Sequence, residues 1–355
     1  MSRKIEEDRR THVERLIIVL RKNENEVNAD MSYAQLPLHH RQIPASRIVL
    51  GCMRFGGEWN GLPITSDLVV EGHRAVEAAI EIGINHFDLA DIYTRGKAEH
   101  VLGRVLSESP GLREQIIIQS KCGIRLVGDD EGPQRYDTSG AHILASVDGI
   151  LERLGVDYLD ILLLHRPDPL AHPQEIGEAL VELHHSGKVR HFGVSNMGSE
   201  QIRLLQLHSK VPLIVNQLEM SLDKIGFVEA GVTVNRPQAR DNVFPYGTME
   251  YCQAEHIQLQ AWGPLAQGRF TGRVVEGQRL EIEHTAQLVD RMAKEHGVTP
   301  ESIVLAWLMK HPAGIQPVIG SIRPERILAC RDATKVELTR YEWYELYSAS
   351  CGRRM

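Results

Sequence analysis

Gly83-Ile-Asn-His-Phe-Asp88-Leu-Ala-Asp-Ile-Tyr93 is a short apolar run that breaks off in a carboxylate, with a phenol five residues further on. Ahead of it, residues 66–82 carry Val69, Val70, Val76, Ala79 and Ile80 at helical spacing, with Ser66 placed to cap the start and Gly83 to end the helix. Helix, glycine, short strand and polar ending form a grammar that recurs along the chain. Apolar runs fall at 48–51, 85–90, 115–121, 158–165, 189–196, 213–217, 257–264 and 315–321. Their closing side chains include Asp88, Lys121, His165, Ser195, Asn196, Gln217, Trp262 and Ser321. Eight strands alternating with helices are the sequence form of a (β/α)8 TIM barrel, an α/β fold that places its chemistry at the C-terminal strand ends.

The intervening segments follow the same rules. Helical patterns over 139–154, 172–186, 199–208, 300–310 and 324–332 stop near Gly155, Gly187, Val211 and Pro312, and the last opens on Pro324 at N1. Residues 31–44, broken by Pro37 and Pro44, predict an N-terminal β-hairpin that closes the barrel floor. Long connections at 125–138 and 221–246, with a Gly- and charge-rich stretch at 271–283, leave the catalytic face, where loops shape access. Residues 1–30 read differently. Seven basic and seven acidic side chains surround one apolar patch, so an extension that is helical or disordered and poorly tied to a 31–355 barrel is expected.

Composition narrows the function. At 355 residues with 42% hydrophobic content, one large barrel can bury its core. A net charge of −7 with no basic stripe argues against nucleic acid as a partner. Five cysteines at irregular spacings, without CxxC or a Cys/His zinc pattern, imply thiols in a reducing compartment and no metal site. The longest early apolar stretch, residues 16–20, is too short for a signal peptide or a membrane span. A cytoplasmic protein, monomeric or a simple homo-oligomer, is expected, acting on a small molecule.

Asp88, Tyr93, Lys121 and His165 belong to consecutive strand ends and would converge in a closed barrel. Their chemistry points to proton transfer. A phenol is a sluggish acid, an adjacent ammonium lowers its pKa, and a buried lysine needs a carboxylate such as Asp88. A neutral imidazole at His165 can orient a carbonyl oxygen. Singly, each has a plain structural role: a packed tyrosine, a solvated lysine, a core histidine, a capping aspartate. Their joint placement outweighs those roles.

These residues resemble the aldo-keto reductase superfamily, closest to its bacterial oxidoreductases with Leu-His-Arg-Pro-Asp-Pro-Leu after the fourth strand, here at 164–170. The likeness runs over about 42–345 and includes Gly51-Cys-Met-Arg-Phe-Gly-Gly57, Glu99-His-Val-Leu-Gly103 and Gly187-Lys-Val-Arg-His-Phe-Gly-Val-Ser-Asn196. It implies hydride transfer between NADPH, rather than NAD, and an aldehyde or ketone, with Tyr93 as proton donor, Lys121 and Asp88 tuning it, and His165 positioning the carbonyl. The family's lack of a GxGxxG fingerprint agrees with its absence in the required context here. By the same likeness Ser195, Asn196 and Gln217 clamp the nicotinamide, Trp262 stacks on it, and Met53 lies near the ring. Leu265, Gln267 and Gly268 wrap the pyrophosphate; Gly320, Ser321, Arg323 and Arg326 grip the 2′-phosphate, where arginine forks suit a dianion.

Departures from the family pattern are specific. Cys330 stands where many members hold adenine with Asn, and Thr94 follows the catalytic tyrosine where Gly is common. Little C-terminal loop remains, so substrate choice falls to Arg54, Trp59 and the 125–138 and 221–246 loops. Two other functions fit parts of the pattern. An NADPH-binding regulatory or scaffold protein would use the 1–30 extension as its interaction element. A lyase or aldolase would use Lys121 as a Schiff-base amine, a role that Asp88 disfavours by keeping the amine protonated.

Overall fold

The computed structural model describes residues 11, 12, 14–16, 36–129, 131–273 and 276–352. Eight strands form the barrel: β1 (Val49–Gly51), β2 (His86–Asp88), β3 (Ile117–Cys122), β4 (Leu159–Leu164), β5 (Val189–Ser195), β6 (Leu213–Glu219), β7 (Gln258–Trp262) and β8 (Gln316–Ile319). All pair in parallel and in chain order, and β1 pairs with both β2 and β8. Closure leaves no unpaired sheet edge. The expected (β/α)8 barrel is the barrel observed.

Helices α1 (Ser66–Glu81), α2 (Lys97–Glu108), α3 (Gly140–Leu154), α4 (Pro173–His185) and α5 (Ser199–His208) follow the first five strands. Later come α6 (Thr248–Ala254), α7 (Leu280–His296), α8 (Pro300–Met309), α9 (Pro324–Leu328) and α10 (Arg340–Cys351). The main core lies between the outer strand faces and these helices, with Phe87, Leu162, Phe192 and Trp307 fully buried. One glycine shows how tightly the shell packs: a Cβ on Gly103 of α2 would lie 2.6 Å from Arg153 O of α3.

Local details depart from expectation for identifiable reasons. Thr65, not Ser66, caps α1. Its extended backbone lets the side chain accept from Leu68 N–H, whereas Ser66 already lies inside the helix. Helix α9 ends at Leu328, short of the expected 332, because Cys330, Arg331 and Ala333 donate to carbonyls three residues back and wind the chain into tight turns. The 125–138 connection opens and closes in a two-stranded ribbon, Ile124–Arg125 against Arg135–Tyr136. The 221–246 connection holds a short helix, Gly226–Val232, and a 3₁₀ turn, Pro237–Asp241.

The expected floor hairpin is corrected. Residues 31–35 lie outside the described residues, and 36–44 form a 3₁₀ turn at His39–Arg41 rather than paired strands. Leu36, Leu38, Ile43 and Ala45 instead bury themselves against Ile117, Ile161, Leu163, Ile214 and Val215, plugging the barrel from below. Of residues 1–30, only 11, 12 and 14–16 are described. They are helical and seated on α1: Leu16 is fully buried, and His12 Nδ1 lies 2.5 Å from Glu77 Oε2.

Candidate active site

Asp88 ends β2 and is registered with Gln119 of β3, so alternation brings Lys121, two residues on, to the same inner face. Lys121 is wholly buried, and its Nζ donates to Asp88 Oδ2 at 2.6 Å, Leu89 O at 2.8 Å and Tyr93 Oη at 3.0 Å. His165 follows β4, and its ring meets that of Tyr93 edge-on, 5.8 Å between centroids. The structure thus brings together all four residues on which the sequence reading converged.

A chain of glutamines lies beneath them, all of it within the barrel. Asp88 Oδ1 accepts from Gln119 Nε2 at 2.6 Å and from Gln217 Nε2 at 3.1 Å. Both amides also donate to Gln260 Oε1 at 2.9 Å. Gln260 in turn donates to Gln316 Oε1 at 3.0 Å, and Gln316 to Ser46 O at 2.6 Å. Sequence reading missed Gln119, Gln260 and Gln316. The available signal was a polar residue inside an otherwise apolar run, which marks a position facing the barrel axis.

Burial decides the electrostatics. It lowers the ammonium of Lys121, but the charges of Asp88 and Tyr93 and their hydrogen bonds together outweigh it and hold Lys121 above its usual value. For Tyr93 burial raises the phenol, Lys121 pulls the other way, and Asp88 adds to the rise, so the net shift is upward. The expected lowering of this phenol is therefore reversed: the ammonium's effect is present but smaller than desolvation. Tyr93 keeps its proton near neutral pH. Burial, then the charges of Lys121 and Arg166, hold His165 well below its usual value, so the imidazole is neutral near pH 7. Its Nδ1 is buried and, among the described residues, has no hydrogen-bond partner.

The loop carrying Tyr93 is tied to the loop after β1. Thr94 sits in the left-handed region at φ 48°, and its hydroxyl lies 2.8 Å from Phe55 O and 2.7 Å from Tyr93 O. A glycine would reach this backbone more cheaply; the threonine compensates with a bond between loops.

Residues assigned to the cofactor by resemblance fall into three groups. In the first, Ser195 Oγ donates to Gln217 O at 2.9 Å, Asn196 Nδ2 to Ser195 Oγ at 2.8 Å, and Trp262 Nε1 to Asn196 Oδ1 at 3.0 Å. These residues form one network, linked to the quartet by Asn196 Nδ2 donating to His165 O at 3.3 Å. Because Gln217 Nε2 is committed to Asp88 and Gln260, its Oε1 is left for a ligand.

In the second group, Gln267 and Gly268 have positive φ, and the Gly268 amide already donates to Leu265 O at 2.7 Å. In the third, Ser321 Oγ accepts from Arg323 N–H at 3.2 Å, while Arg323 and Arg326 are exposed. A Cβ on Gly320 would meet nothing within 4 Å, so the backbone there is open to a ligand. Helix α9 spans only five residues, so its dipole adds little. Cys330 is fully buried, its Sγ 3.4 Å from Arg326 O. Met53, Arg54 and Trp59 are exposed on the loop after β1, apart from these networks.

An exposed guanidinium pair with a hydroxyl suits a phosphate dianion, and an indole fixed through its Nε1 suits a flat ring. The residues present therefore fit an NADPH-like dinucleotide. Among the described residues, no group of His, Cys, Asp and Glu is arranged to hold a metal, and no helix is long and apolar enough to cross a membrane.

Comparison with known proteins agrees with this geometry. The Aldo/keto reductase family model matches residues 47–350. A 6-dehydroglucose reductase of Agrobacterium fabrum is 36% identical over 317 residues, covering 88% of this chain and 97% of its own. The uncharacterized oxidoreductase YcsN of Bacillus subtilis is 38% identical, covering 86% and 95%. Among solved structures, an aldo/keto reductase from Klebsiella pneumoniae in complex with NADP and acetate superposes with a TM-score of 0.65 at 25% identity, covering 86% and 92%. A closed barrel with this quartet at its mouth, matched through nearly all of its length, belongs to the aldo/keto reductase family, whose members are oxidoreductases.

Proposed function

We propose that the chain reduces an aldehyde or ketone to an alcohol with NADPH, with Tyr93 as the proton donor. The observation that carries this reading is Lys121 Nζ, bonded at once to the Asp88 carboxylate and to the Tyr93 hydroxyl. NADPH, when bound, supplies the hydride. The protein's part is to hold the carbonyl and protonate its oxygen as charge develops there. Neutral His165 orients that oxygen by hydrogen bonding, and Tyr93 gives up its proton to it. The ammonium of Lys121, kept charged by Asp88, then stabilises the phenolate left behind.

Ser195, Asn196 and Gln217 would hold the nicotinamide carboxamide, with Trp262 against the ring and Met53 near it. Leu265, Gln267 and Gly268 would follow the pyrophosphate. Gly320, Ser321, Arg323 and Arg326 would hold the 2′-phosphate, which favours NADP over NAD. Arg54 and Trp59 would border the substrate. The NADP-bound Klebsiella relative and the reductase of Agrobacterium support this class of reaction. Five free cysteines support a reducing, cytoplasmic setting.

The test is NADPH consumption with a panel of aldehydes and ketones. Tyr93→Phe should lower kcat by about 10²–10⁴-fold, while fluorescence titration shows NADPH binding retained. A wild-type protein that oxidises NADPH with no member of the panel would end this reading.

A further inference from the structure

Arg166 follows His165 directly and enters the loop after β4. It is half-buried, and among the described residues no acceptor lies within hydrogen-bonding reach of its guanidinium. Acids on the surrounding loops are taken elsewhere. Asp168 Oδ2 accepts from Thr138 N–H at 3.0 Å and its Oδ1 from Leu170 N–H at 2.9 Å. Asp137 pairs with Arg125 at 2.6 Å, and Asp129 accepts from Leu126 N–H at 2.7 Å. Asp223 holds Arg269 and Arg279.

The charge of Arg166 nevertheless reaches the His165 ring, where Arg166 and Lys121 are the two charges that act. Lys121 has its counter-charge in Asp88 at 2.6 Å; among the described residues Arg166 has no ion-pair partner. A guanidinium presents five donors in a rigid fork, and partial burial strips some of their water. Such a group beside the residue assigned to the carbonyl oxygen is suited to a second set of oxygens on the same small molecule.

We propose that Arg166 anchors the substrate by acceptor oxygens a few bonds from the reacting carbonyl, so that the site selects oxygenated aldehydes over alkyl ones. This inference rests on the reductase reading and deepens it. Two sources share the chemistry: a carboxylate, which the fork grips bidentately, and the hydroxyls of an oxidised sugar or polyol. With those oxygens on Arg166, the carbonyl stays free to meet Tyr93 and His165.

The experiment compares matched aldehydes with NADPH: propanal against glyceraldehyde, and butanal against succinic semialdehyde. Each pair is read as a ratio of kcat/KM in wild type, Arg166→Met and Arg166→Lys. Wild type should favour at least one oxygenated member by about 10- to 100-fold, the worth of a charged hydrogen bond. Arg166→Met should collapse that ratio towards one, mainly through KM. Arg166→Lys should restore part of it. Whichever oxygenated member is preferred identifies the source.

A wild-type ratio near one for both pairs overturns the proposal. So does a ratio that Arg166→Met leaves intact, or a loss matched by an equal loss of NADPH affinity. Turnover without Arg166-dependent selectivity removes this proposal alone, and no turnover on these aldehydes with turnover on a ketone likewise removes only this proposal. No turnover on any aldehyde or ketone removes the reductase reading with it.

Discussion

Asp88→Asn alters one charge and almost no volume, so its effect isolates the electrostatics of the site. Lys121 is wholly buried and bonded to Asp88 Oδ2, Leu89 O and Tyr93 Oη. The asparagine offers one oxygen where the carboxylate has two. Turned towards Lys121, that oxygen leaves an NH₂ group facing Gln119 and Gln217, both of which donate to Asp88 Oδ1. In the opposite orientation the NH₂ group faces the ammonium. Either way a buried donor loses its acceptor, a cost of about 1–3 kcal/mol. Removing one member of a buried ion pair costs about 3–5 kcal/mol. These costs overlap because they share the same atoms, so the expected loss near neutral pH is about 4 kcal/mol.

The pH dependence separates this cause from ordinary repacking. In wild type the lysine is held above its usual 10.5, so its contribution is complete below that value and is lost as pH rises through the folded-state value. Without Asp88, burial dominates and the amine falls below 10.5. The folded variant then binds fewer protons than its unfolded chain, and its stability rises with pH by up to about 1.4 kcal/mol per unit until the unfolded lysine titrates. Urea unfolding of both proteins from about pH 7 to about pH 10 should show the gap narrowing. A gap that stays constant or widens would refute the reasoning.

Thr94→Val keeps the branched side chain at a left-handed backbone position and deletes the hydroxyl shared between Phe55 O and Tyr93 O. Thermal or urea unfolding should show a loss of about 1–2 kcal/mol. Arg323→Ala and Arg326→Ala should each weaken NADPH binding by about tenfold while leaving NADH affinity nearly unchanged, as titration of both nucleotides would reveal. Asp91 is raised to about 8 by burial and the nearby charge of Glu99, against the contrary pull of Arg153, and among the described residues its buried Oδ1 has no hydrogen-bond partner. Between the ordinary carboxylate range and that value the folded state holds a proton that the unfolded state releases, so stability falls as pH rises. Asp91→Asn should therefore be the more stable protein at pH 8, by roughly 1–3 kcal/mol, with the difference shrinking towards pH 4.

The barrel was legible because each strand is announced by a short apolar run and each preceding helix by its glycine or proline stop. Asp88, Lys121, Tyr93 and His165 could be picked out because strand ends in a closed barrel are neighbours by construction. What the sequence could not show was set by depth and closure. The upward shift of Tyr93 depends on how completely the ring is buried, and a list of neighbouring charges contains no measure of that. The Gln119–Gln260 and Gln217–Asp88 contacts depend on how strands from opposite sides of the barrel are staggered. The floor was misread for a related reason. Alternation over Leu36 and Leu38 suits a strand, but the open bottom of the barrel is an apolar socket that a turn fills equally well.

Those glutamines explain how a buried carboxylate can serve the site. An apolar interior would cost less than the Asp88–Lys121 pair and its amide chain, since buried ion pairs seldom repay their desolvation. The chain's use is orientation. Asp88 accepts two amide bonds on Oδ1 and the ammonium on Oδ2, so both of its oxygens are held. Gln260 holds both amides in place, and Gln316 anchors Gln260 to the backbone at Ser46. The ammonium is thereby fixed under the Tyr93 hydroxyl before any ligand arrives. In a dry site, charge positioned in advance is worth more than the same charge free to reorient. The apparent waste of polarity beneath the barrel mouth is what holds the ammonium against the Tyr93 hydroxyl.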